Sequence, residues 1–262
     1  MERLIIADKE DMKEEVYLNS LSCLHAGSPE PDSKAFFTPM QARRMGRMMK
    51  RAVVTAETAL REAGISVPDA IITGTFLGSV EDTEALLMAL SGVSGLPMKP
   101  TNFMQSTHNT VSSLVGIRLG DHGYNATYSH GPLSFESAVL DALVQLGLGE
   151  IDNALVNLCD ETSPTFTMMM GKIGMEGLDI SLSVVLSHKA EGALCRVEDF
   201  SLTHGRKAFD EAGAMEGIPV FKAPLGYAEA ADLLAKGEID KALVVNAGRG
   251  YDNSSYMLLG RI

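Results

Sequence analysis

The sequence predicts an α/β protein made of two related halves, and two observations lead to this prediction. Segments with the helical period of apolar residues alternate with short apolar strands along most of the chain. Residues 149–156 (GEIDNALV) recur as residues 237–244 (GEIDKALV), with seven of eight positions identical. In both copies a glycine ends a helix, a polar turn follows, and Ala-Leu-Val begins a strand buried on both faces. We therefore expect the same corner twice, in mainly parallel sheets covered by helices.

Each predicted element has a local signal. Helices start at a polar residue, an acid or a proline and end near glycine, and strands are short apolar runs between turn residues. The predicted helices are residues 43–65, 81–92, 106–120, 132–149 and 227–237, and the predicted strands are residues 69–78, 123–130, 152–160, 198–205, 241–248 and 256–262. A β-hairpin is also predicted over residues 181–200, with its turn at 188–192.

Composition narrows the class of protein. The net charge of −12 over 262 residues disfavours nucleic-acid binding, and the apolar runs are shorter than the ~18–20 residues that a membrane span needs. The first residues are charged where a signal peptide is apolar, so we expect a cytoplasmic location. The three cysteines, Cys23, Cys159 and Cys195, are far apart and lie in apolar sequence, which is typical of reduced thiols rather than disulfides or a metal site. No metal and no cofactor is predicted.

One segment carries a cluster of positive charge. Arg43, Arg47 and Arg51 recur at helical spacing, with Arg44 and Lys50 beside them. Two interpretations remain open. These residues form an ordinary solvated helix surface, or they form a docking patch for an acidic partner protein.

Several segments, taken in order, resemble the β-ketoacyl synthases, a family with the thiolase fold. Residues 149–161 resemble that family's corner before a buried strand, with Glu161 as its acidic residue, and residues 221–231 resemble its lysine and histidine motif. The closing segment resembles the family's glycine-rich ending: Asn246, Gly248, Gly250, Asn253 and Ser254 match, whereas Arg249 and Tyr251 depart from it. The resemblance implies one thiolase-like domain over residues 1–262, with a first half at about 1–195 and a truncated second half at about 196–262.

The resemblance also implies that condensation chemistry is lost. Active members of the family use a cysteine at a helix start, two histidines that bind a malonyl thioester, and a lysine that supports them. Pro132 falls at the cysteine position and Tyr227 at one histidine position, while His204 and Lys222 match the other histidine and the lysine. Proline has neither a nucleophile nor an N–H, and a phenol with a pKa near ~10 does not replace an imidazole.

Other residues near the expected pocket are candidates to replace the missing cysteine as a nucleophile. Ser129 and His130 are neighbours on a strand and point to opposite faces, so they do not form a dyad by themselves. Ser134 is predicted to bond locally, and Cys159 to be a core residue. His108 either lines the acyl pocket or bonds to the neighbouring Ser and Thr. The pocket candidates are His108, Ser129, His130, Phe135, Arg249 and Gly250.

The predicted function follows from this loss. Ketosynthase-like subunits without the cysteine are chain length factors, which pair with an active ketosynthase and shape the tunnel for the growing chain. Residues 105–109 and 128–138 resemble the short subunits of aryl-polyene and flexirubin-type biosynthesis. Two alternatives remain open: an acyl-thioester transferase or hydrolase that uses pocket histidines, and a homodimeric module that binds acyl carrier protein or a lipid.

If the resemblance holds, three segments lie near the subunit interface. They are the helix with Phe135, Val139 and Leu143, the strand at 124–130, and Met168, Met169 and Met170. The methionines suit an adaptable tunnel and equally suit an ordinary core.

Overall fold

The described residues contain a nine-stranded sheet. The structure, a computed structural model, describes residues 15–92, 95, 97–172, 174, 177–205, 207–247 and 253–262. The strands are β1 (Val16–His25), β2 (Ala70–Gly74), β3 (Tyr124–Tyr128), β4 (Asn153–Asp160), β5 (Ile180–Ser187), β6 (Cys195–His204), β7 (Val220–Lys222), β8 (Lys241–Asn246) and β9 (Asn253–Gly260). Their order across the sheet is β3-β2-β4-β5-β1-β6-β9-β8-β7.

The strand pairing repeats on either side of the sheet's centre. On one side β1 pairs antiparallel with β5, β5 antiparallel with β4, and β4 parallel with β2. On the other side β6 pairs antiparallel with β9, β9 antiparallel with β8, and β8 parallel with β7. β4 and β8 each follow one copy of the repeated GEID turn. The duplicated sequence therefore forms the same corner in two related halves, which β1 and β6 join.

Helices cover both faces of the sheet. The helices are α1 (Pro39–Arg44), α2 (Arg47–Ala63), α3 (Val80–Leu90), α4 (Pro100–Gln105), α5 (Thr110–Leu119), α6 (Ser134–Leu148), α7 (Pro164–Lys172), α8 (Lys207–Gly213) and α9 (Gly226–Ala235). Successive strand residues point to opposite faces, so on β4 Val156 packs with α6 and α9 in one apolar core while Leu155 packs with α2 and α5 in another. α8 covers the second half on the α2 side, over Leu243 and Tyr256.

Two details of the predicted sheet were wrong. Three of the eight described strand pairs are parallel, so the sheet is mixed rather than mainly parallel. β5 and β9 are antiparallel to their neighbours although they are buried on both faces, which is more typical of parallel strands. The predicted hairpin is also wrong, because β1 lies between β5 and β6 and pairs with both.

The helical pattern predicted over residues 43–65 is interrupted. α1 ends at Arg44, and α2 begins after Gly46, whose N–H is bound by the Gln105 side chain at 2.9 Å. β1, α4 and α7 had not been predicted, because each is short or follows a charged or irregular segment. In the part of the chain that is described, no helix combines the length and the apolar character needed to cross a membrane.

Candidate functional site

The turn between β3 and α6 places Pro132 at the start of the central helix. Gly131–Leu133 forms one 3-10 turn, and α6 follows from Ser134. The Ser134 hydroxyl donates to the Gly131 carbonyl at 2.7 Å and accepts from the backbone N–H of His130 at 2.9 Å. Ser134 therefore acts in local bonding, as predicted from its position, and Pro132 offers the turn neither a thiol nor an N–H.

The end of β2 holds the start of α6 in place. A Cβ atom on Gly74 would lie 2.4 Å from the Ser134 carbonyl oxygen and 2.6 Å from the Phe135 nitrogen. Only glycine at the last residue of β2 allows the helix backbone to come this close. The position of the Pro132 turn is thus set by backbone packing.

A buried polar cluster surrounds the turn. The Asn246 side chain, at the end of β8, donates from Nδ2 to the Pro132 carbonyl at 2.9 Å and to Glu136 Oε1 at 3.1 Å. The Tyr227 hydroxyl, on α9, also donates to Glu136 Oε1, at 3.4 Å. Glu136 is 1% exposed and Tyr227 is 2% exposed. Side chains from both halves therefore pack around the N-terminal end of α6.

The charge state of this cluster depends on burial. Burial raises the pKa of Glu136 to about 7, although hydrogen bonds from Asn246 and Tyr227 oppose the rise. Burial and the neighbouring Glu136 carboxylate raise the pKa of Tyr227 well above its ordinary value. Glu136 Oε2 has no hydrogen-bond partner among the described residues. The phenol therefore stays protonated, and the carboxyl changes charge near neutral pH.

Lys222 and Tyr227 belong to one predicted motif but lie in different surroundings. Lys222 is exposed at the end of β7, whereas Tyr227 lies in the core with its ring 5.1 Å from that of Phe135. Phe135 is itself 2% exposed, as a core residue. Tyr227 thus packs as an aromatic anchor that also donates a hydrogen bond.

His130 lies beside a shallow pocket and uses both ring nitrogens. The Ser137 hydroxyl donates to the Leu133 carbonyl at 3.0 Å and so accepts from His130 Nδ1 at 2.9 Å. Nε2 then accepts from the Asn253 side chain at 3.0 Å. The pocket has a volume of about 410 Å³ and is lined by Tyr128, Ser129, His130, Ser137, Leu140, Asp141, Val144 and Leu202. Burial and Asp141 raise the pKa of Tyr128 in this pocket to about 12.

Of the remaining pocket candidates, His108 is the one whose side chain the structure describes. His108 is exposed, and its ring lies over the backbone of Gly78, outside the 410 Å³ pocket. The backbone of His204 ends β6 opposite Asn253, but its side chain is outside the described part of the structure. Arg249 and Gly250 also lie outside the described residues, as do Gly248 and Tyr251.

The three cysteines are poor nucleophiles. Burial raises the pKa of Cys159 and of Cys195 to about 12, and that of Cys23 to about 11. Cys159 packs among Met48, Met49 and Val111. Cys159 is therefore a core residue, as predicted. Its raised pKa keeps the thiol protonated, whereas the thiolate is the reactive form.

The predicted basic face divides into two parts. Arg51 is 4% exposed and pairs with Glu30 at 2.6 Å and with Asp179 at 3.0 Å. Arg47 pairs with Asp179 at 2.7 Å. Arg43 and Arg44 are exposed on α1, and Lys50 is partly exposed. Any docking patch on this face therefore depends on Arg43, Arg44 and Lys50.

The segments predicted to lie near a subunit interface contain both buried and exposed residues. Val139 and Leu143 are buried with Phe135 in the chain's own core, and Met170 is buried on α7. Met168 and Met169 are each 56% exposed. β3 forms the edge of the sheet beside β2.

Sequence reasoning missed two acidic residues of the site. Glu136 stood out only as an acid in an apolar first helical turn. Asp160, at the end of β4, accepts from the Thr75 hydroxyl at 2.9 Å and from the N–H groups of Phe76, Leu77 and Gly78. Glu161, the acidic residue of the family corner, accepts from Ser79 Oγ at 2.8 Å and from the N–H of Glu81. Together Asp160 and Glu161 tie the β2–α3 loop to β4.

Comparisons with known proteins give the family and the fold. A family model described as the N-terminal domain of beta-ketoacyl synthase matches residues 19–218. No curated protein sequence matches the chain. Three solved structures, each covering 95% of this chain, are similar to it.

The first is a type II polyketide acyl-carrier protein in complex with its hexaketide-bound ketosynthase (AntDE:AntF), with a TM-score of 0.76, 11% identity and 100% of the matched chain covered. The second is the ishigamide ketosynthase/chain length factor, with a TM-score of 0.75, 15% identity and 99% covered. The third is the ketosynthase ApeO with its chain length factor ApeC from Xenorhabdus doucetiae, with a TM-score of 0.64, 17% identity and 100% covered.

These likenesses confirm the predicted thiolase-like α/β fold. The family model covers well over half of the sequence. The chain therefore belongs to the beta-ketoacyl synthase family.

Proposed function

We propose that this protein is a noncatalytic ketosynthase-like subunit that pairs with an active ketosynthase as its chain length factor. The observation that carries the proposal is the buried cluster of Glu136, Tyr227 and Asn246 around the carbonyl of Pro132. In a condensing enzyme this space would hold a thiolate and the thioester carbonyl. Here it holds a phenol, a carboxyl and an amide that bond to one another.

The chemistry of the other side chains supports the same conclusion. Thioester formation needs a thiolate at a helix start, and the raised pKa values of Cys23, Cys159 and Cys195 leave no such group. His130 is engaged at both nitrogens by Ser137 and Asn253, so it is not placed as a free base for thioester hydrolysis.

The similar structures support a ketosynthase as the partner. Two of them are described as pairs of a ketosynthase and a chain length factor. In the present chain β3 is an edge strand with Tyr124 42% exposed, and an edge strand offers backbone groups to a second sheet. We propose that the partner binds on the β3 side of the molecule.

We also propose that an acyl carrier protein docks on α1. Arg43 and Arg44 are exposed there. Two apolar residues of the same segment lie beside them: Met40, which is exposed, and Met45, which is partly exposed. A local positive patch on a chain of net charge −12 favours an acidic partner. The carrier in the similar AntDE:AntF structure is bound to its own ketosynthase.

The proposal is tested by co-expression with each full-length ketosynthase from the same genome. We expect a stable complex with one of them that condenses acyl and malonyl groups carried on acyl carrier protein, and no condensation by this protein alone. The decisive control replaces the active cysteine of that ketosynthase with alanine. We expect the resulting complex to be inactive; product from it, or from this protein alone, would place catalysis in the present chain and refute the proposal.

A further inference from the structure

One serine hydroxyl at the start of α3 contacts two carboxyl groups. Ser79 Oγ lies 2.7 Å from Asp82 Oδ2 and 2.8 Å from Glu161 Oε1. Both are hydrogen-bond distances between two oxygens, so each contact needs a hydrogen of its own. A serine hydroxyl has one hydrogen to donate, and an ionised carboxylate has none. Either Asp82 or Glu161 must therefore carry a proton for both bonds to exist.

These side chains do not form the ordinary cap of a helix. Ser79 is the N-cap residue of α3 and Asp82 stands three residues later, where each side chain normally accepts from the backbone N–H of the other. The Ser79 side chain accepts no such bond. Glu161, which directly follows β4, instead accepts from the Glu81 N–H at 3.0 Å. One carboxyl group thus caps α3 and also contacts the Ser79 hydroxyl.

Burial favours a proton on this group of side chains. Ser79 and Glu161 are each 2% exposed, and Glu161 Oε2 has no hydrogen-bond partner among the described residues. Burial raises the pKa of Glu161 and the pKa of Asp82, although the hydrogen bond with Ser79 opposes the rise in both. Two carboxylates that share one site also disfavour each other's charge, so one of them keeps its proton to a higher pH.

The surrounding charges leave this preference in place. They are Arg47 on α2, Glu81 on α3, Asp160 on β4, Asp179 before β5, and His108, whose ring lies over Gly78. Arg47 favours the charged form of Glu161, but its guanidinium group bonds to Asp179 at 2.7 Å. Glu81 disfavours a charge on Glu161. The net effect is the raised pKa of Glu161.

We propose that Asp82 and Glu161 share one proton through the Ser79 hydroxyl, and that loss of this proton releases the first turn of α3 from the end of β4. With the proton present, one carboxyl donates to Ser79 Oγ and Ser79 donates to the other carboxylate. Once the proton has passed to solvent, Ser79 donates to one carboxylate and the other faces it without a hydrogen. The inference stands apart from the proposed function, because it concerns the loop between β2 and α3.

The direction of the pH dependence follows from the raised pKa values. A group that holds its proton more tightly in the folded protein stabilises the fold at low pH and loses this contribution as the pH rises through its titration in the folded state. The titration belongs to the pair rather than to either carboxyl alone. The three side chains therefore act as a pH-sensitive switch that holds α3 most firmly at low pH.

The test follows the carboxyl carbons of Asp82 and Glu161 in the full chain by NMR as the pH is raised. We expect the pair to lose its last proton at a higher pH than an ordinary carboxyl group does. In Asp82→Asn the amide donates to Ser79 at every pH and the second charge is gone, so Glu161 should titrate at a lower pH than in wild type. Glu84→Gln, on a partly exposed residue of the same helix, is the matched control and should leave both titrations unchanged.

A second measurement follows the release of α3. The amides of Glu81 and Thr83, which bond to Glu161 and to the Ser79 carbonyl, report on the first turn. Above the titration of the pair we expect these amides to exchange hydrogen about tenfold faster in wild type than in Asp82→Asn at the same pH, as loss of about one hydrogen bond predicts.

Each outcome decides one part of the inference. If Glu161 titrates at the same pH in wild type and in Asp82→Asn, or if both carboxyls of wild type titrate in the ordinary range, the two groups share no proton and the inference is overturned. If the titrations are coupled but the amides exchange equally fast in both proteins, loss of the proton releases nothing, and the switch is refuted.

Discussion

The two halves of the sheet share a connection pattern but differ in what joins the strands. The first half runs β1-α2-β2-α6-β4-β5 and the second runs β6-α8-β7-α9-β8-β9. Residues 75–133 join β2 to α6, whereas residues 223–225 join β7 to α9. Residues 26–46 join β1 to α2, whereas residues 205–206 join β6 to α8. The first half thus has two much longer connections than the second on the same framework.

The two long connections meet on one side of the molecule. Gln105 of α4 bonds to the backbone of both Arg44 and Gly46. The exposed arginines of α1 and the helix α4 therefore belong to one surface of the first half. The short second half has a different part: it supplies Tyr227 and Asn246 to the cluster around Pro132. The comparison separates a half with long, exposed connections from a half that supplies buried polar side chains to the Pro132 turn.

The largest expected effect concerns how each half packs a helix start against a strand end. In the first half the glycine is on the strand, and a Cβ on Gly74 would meet helix backbone at 2.4 Å. In the second half the glycine is on the helix, and a Cβ on Gly226 would meet the Phe221 Cβ at 2.8 Å. We expect Gly74→Ala to lower the free energy of unfolding by about 3 kcal/mol and Gly226→Ala by about 1–2 kcal/mol, since the added Cβ overlaps its neighbours more deeply at Gly74.

Urea unfolding followed by circular dichroism measures both values. Gly171→Ala is the control, because nothing lies within 4 Å of the added Cβ and the residue is inside α7. It should raise the free energy of unfolding by about 0.5–1 kcal/mol. Equal losses of unfolding free energy in Gly74→Ala and Gly226→Ala would contradict the proposed difference in packing between the two halves.

Prediction from sequence succeeded where the signals are local. The helix ends at Gly149 and Gly237 were predicted from glycine, and both residues have the positive φ, 71° and 70°, that glycine tolerates. It failed where distant segments decide. Arg51 has the spacing of a surface residue, yet Asp179, 128 residues away, draws it into a buried ion pair. Glu136 gained its role from Tyr227 and Asn246, which lie 91 and 110 residues along the chain.

An intermediate effect concerns the cluster in which the halves meet. The pKa of Glu136 is raised by burial from 4.5 to about 7, so the folded protein holds this proton more tightly than the unfolded chain does. The contribution of Glu136 to stability is therefore fully present below about pH 4.5, falls between about pH 4.5 and 7, and is level above pH 7. Glu136→Gln removes this dependence. We expect the stability of the variant relative to wild type to rise by about 2–3 kcal/mol from pH 4.5 to pH 8.

The matched control is Glu229→Gln, on an exposed residue in the first turn of α9, the equivalent helix of the second half. Urea unfolding at a series of pH values gives the difference for each variant, in which the titration of all other groups cancels. We expect the control to follow the wild-type curve within about 0.5 kcal/mol. Parallel curves for wild type and Glu136→Gln would show that this carboxyl is not held in a closed, apolar site.

The smallest expected effect concerns the basic connection between β1 and α2 in the first half. Arg43→Glu with Arg44→Glu reverses two exposed charges on α1, and Lys189→Glu with Lys207→Glu makes the same change in net charge elsewhere. We expect both double variants to keep the wild-type stability within about 0.5 kcal/mol, because surface pairs contribute little. Binding of the acyl carrier protein to the complex with the ketosynthase should weaken about tenfold at low salt for the first pair only, and the difference should shrink as salt is added. Equal weakening by both pairs would mean that the carrier responds to total charge, and α1 would then have no special part in docking.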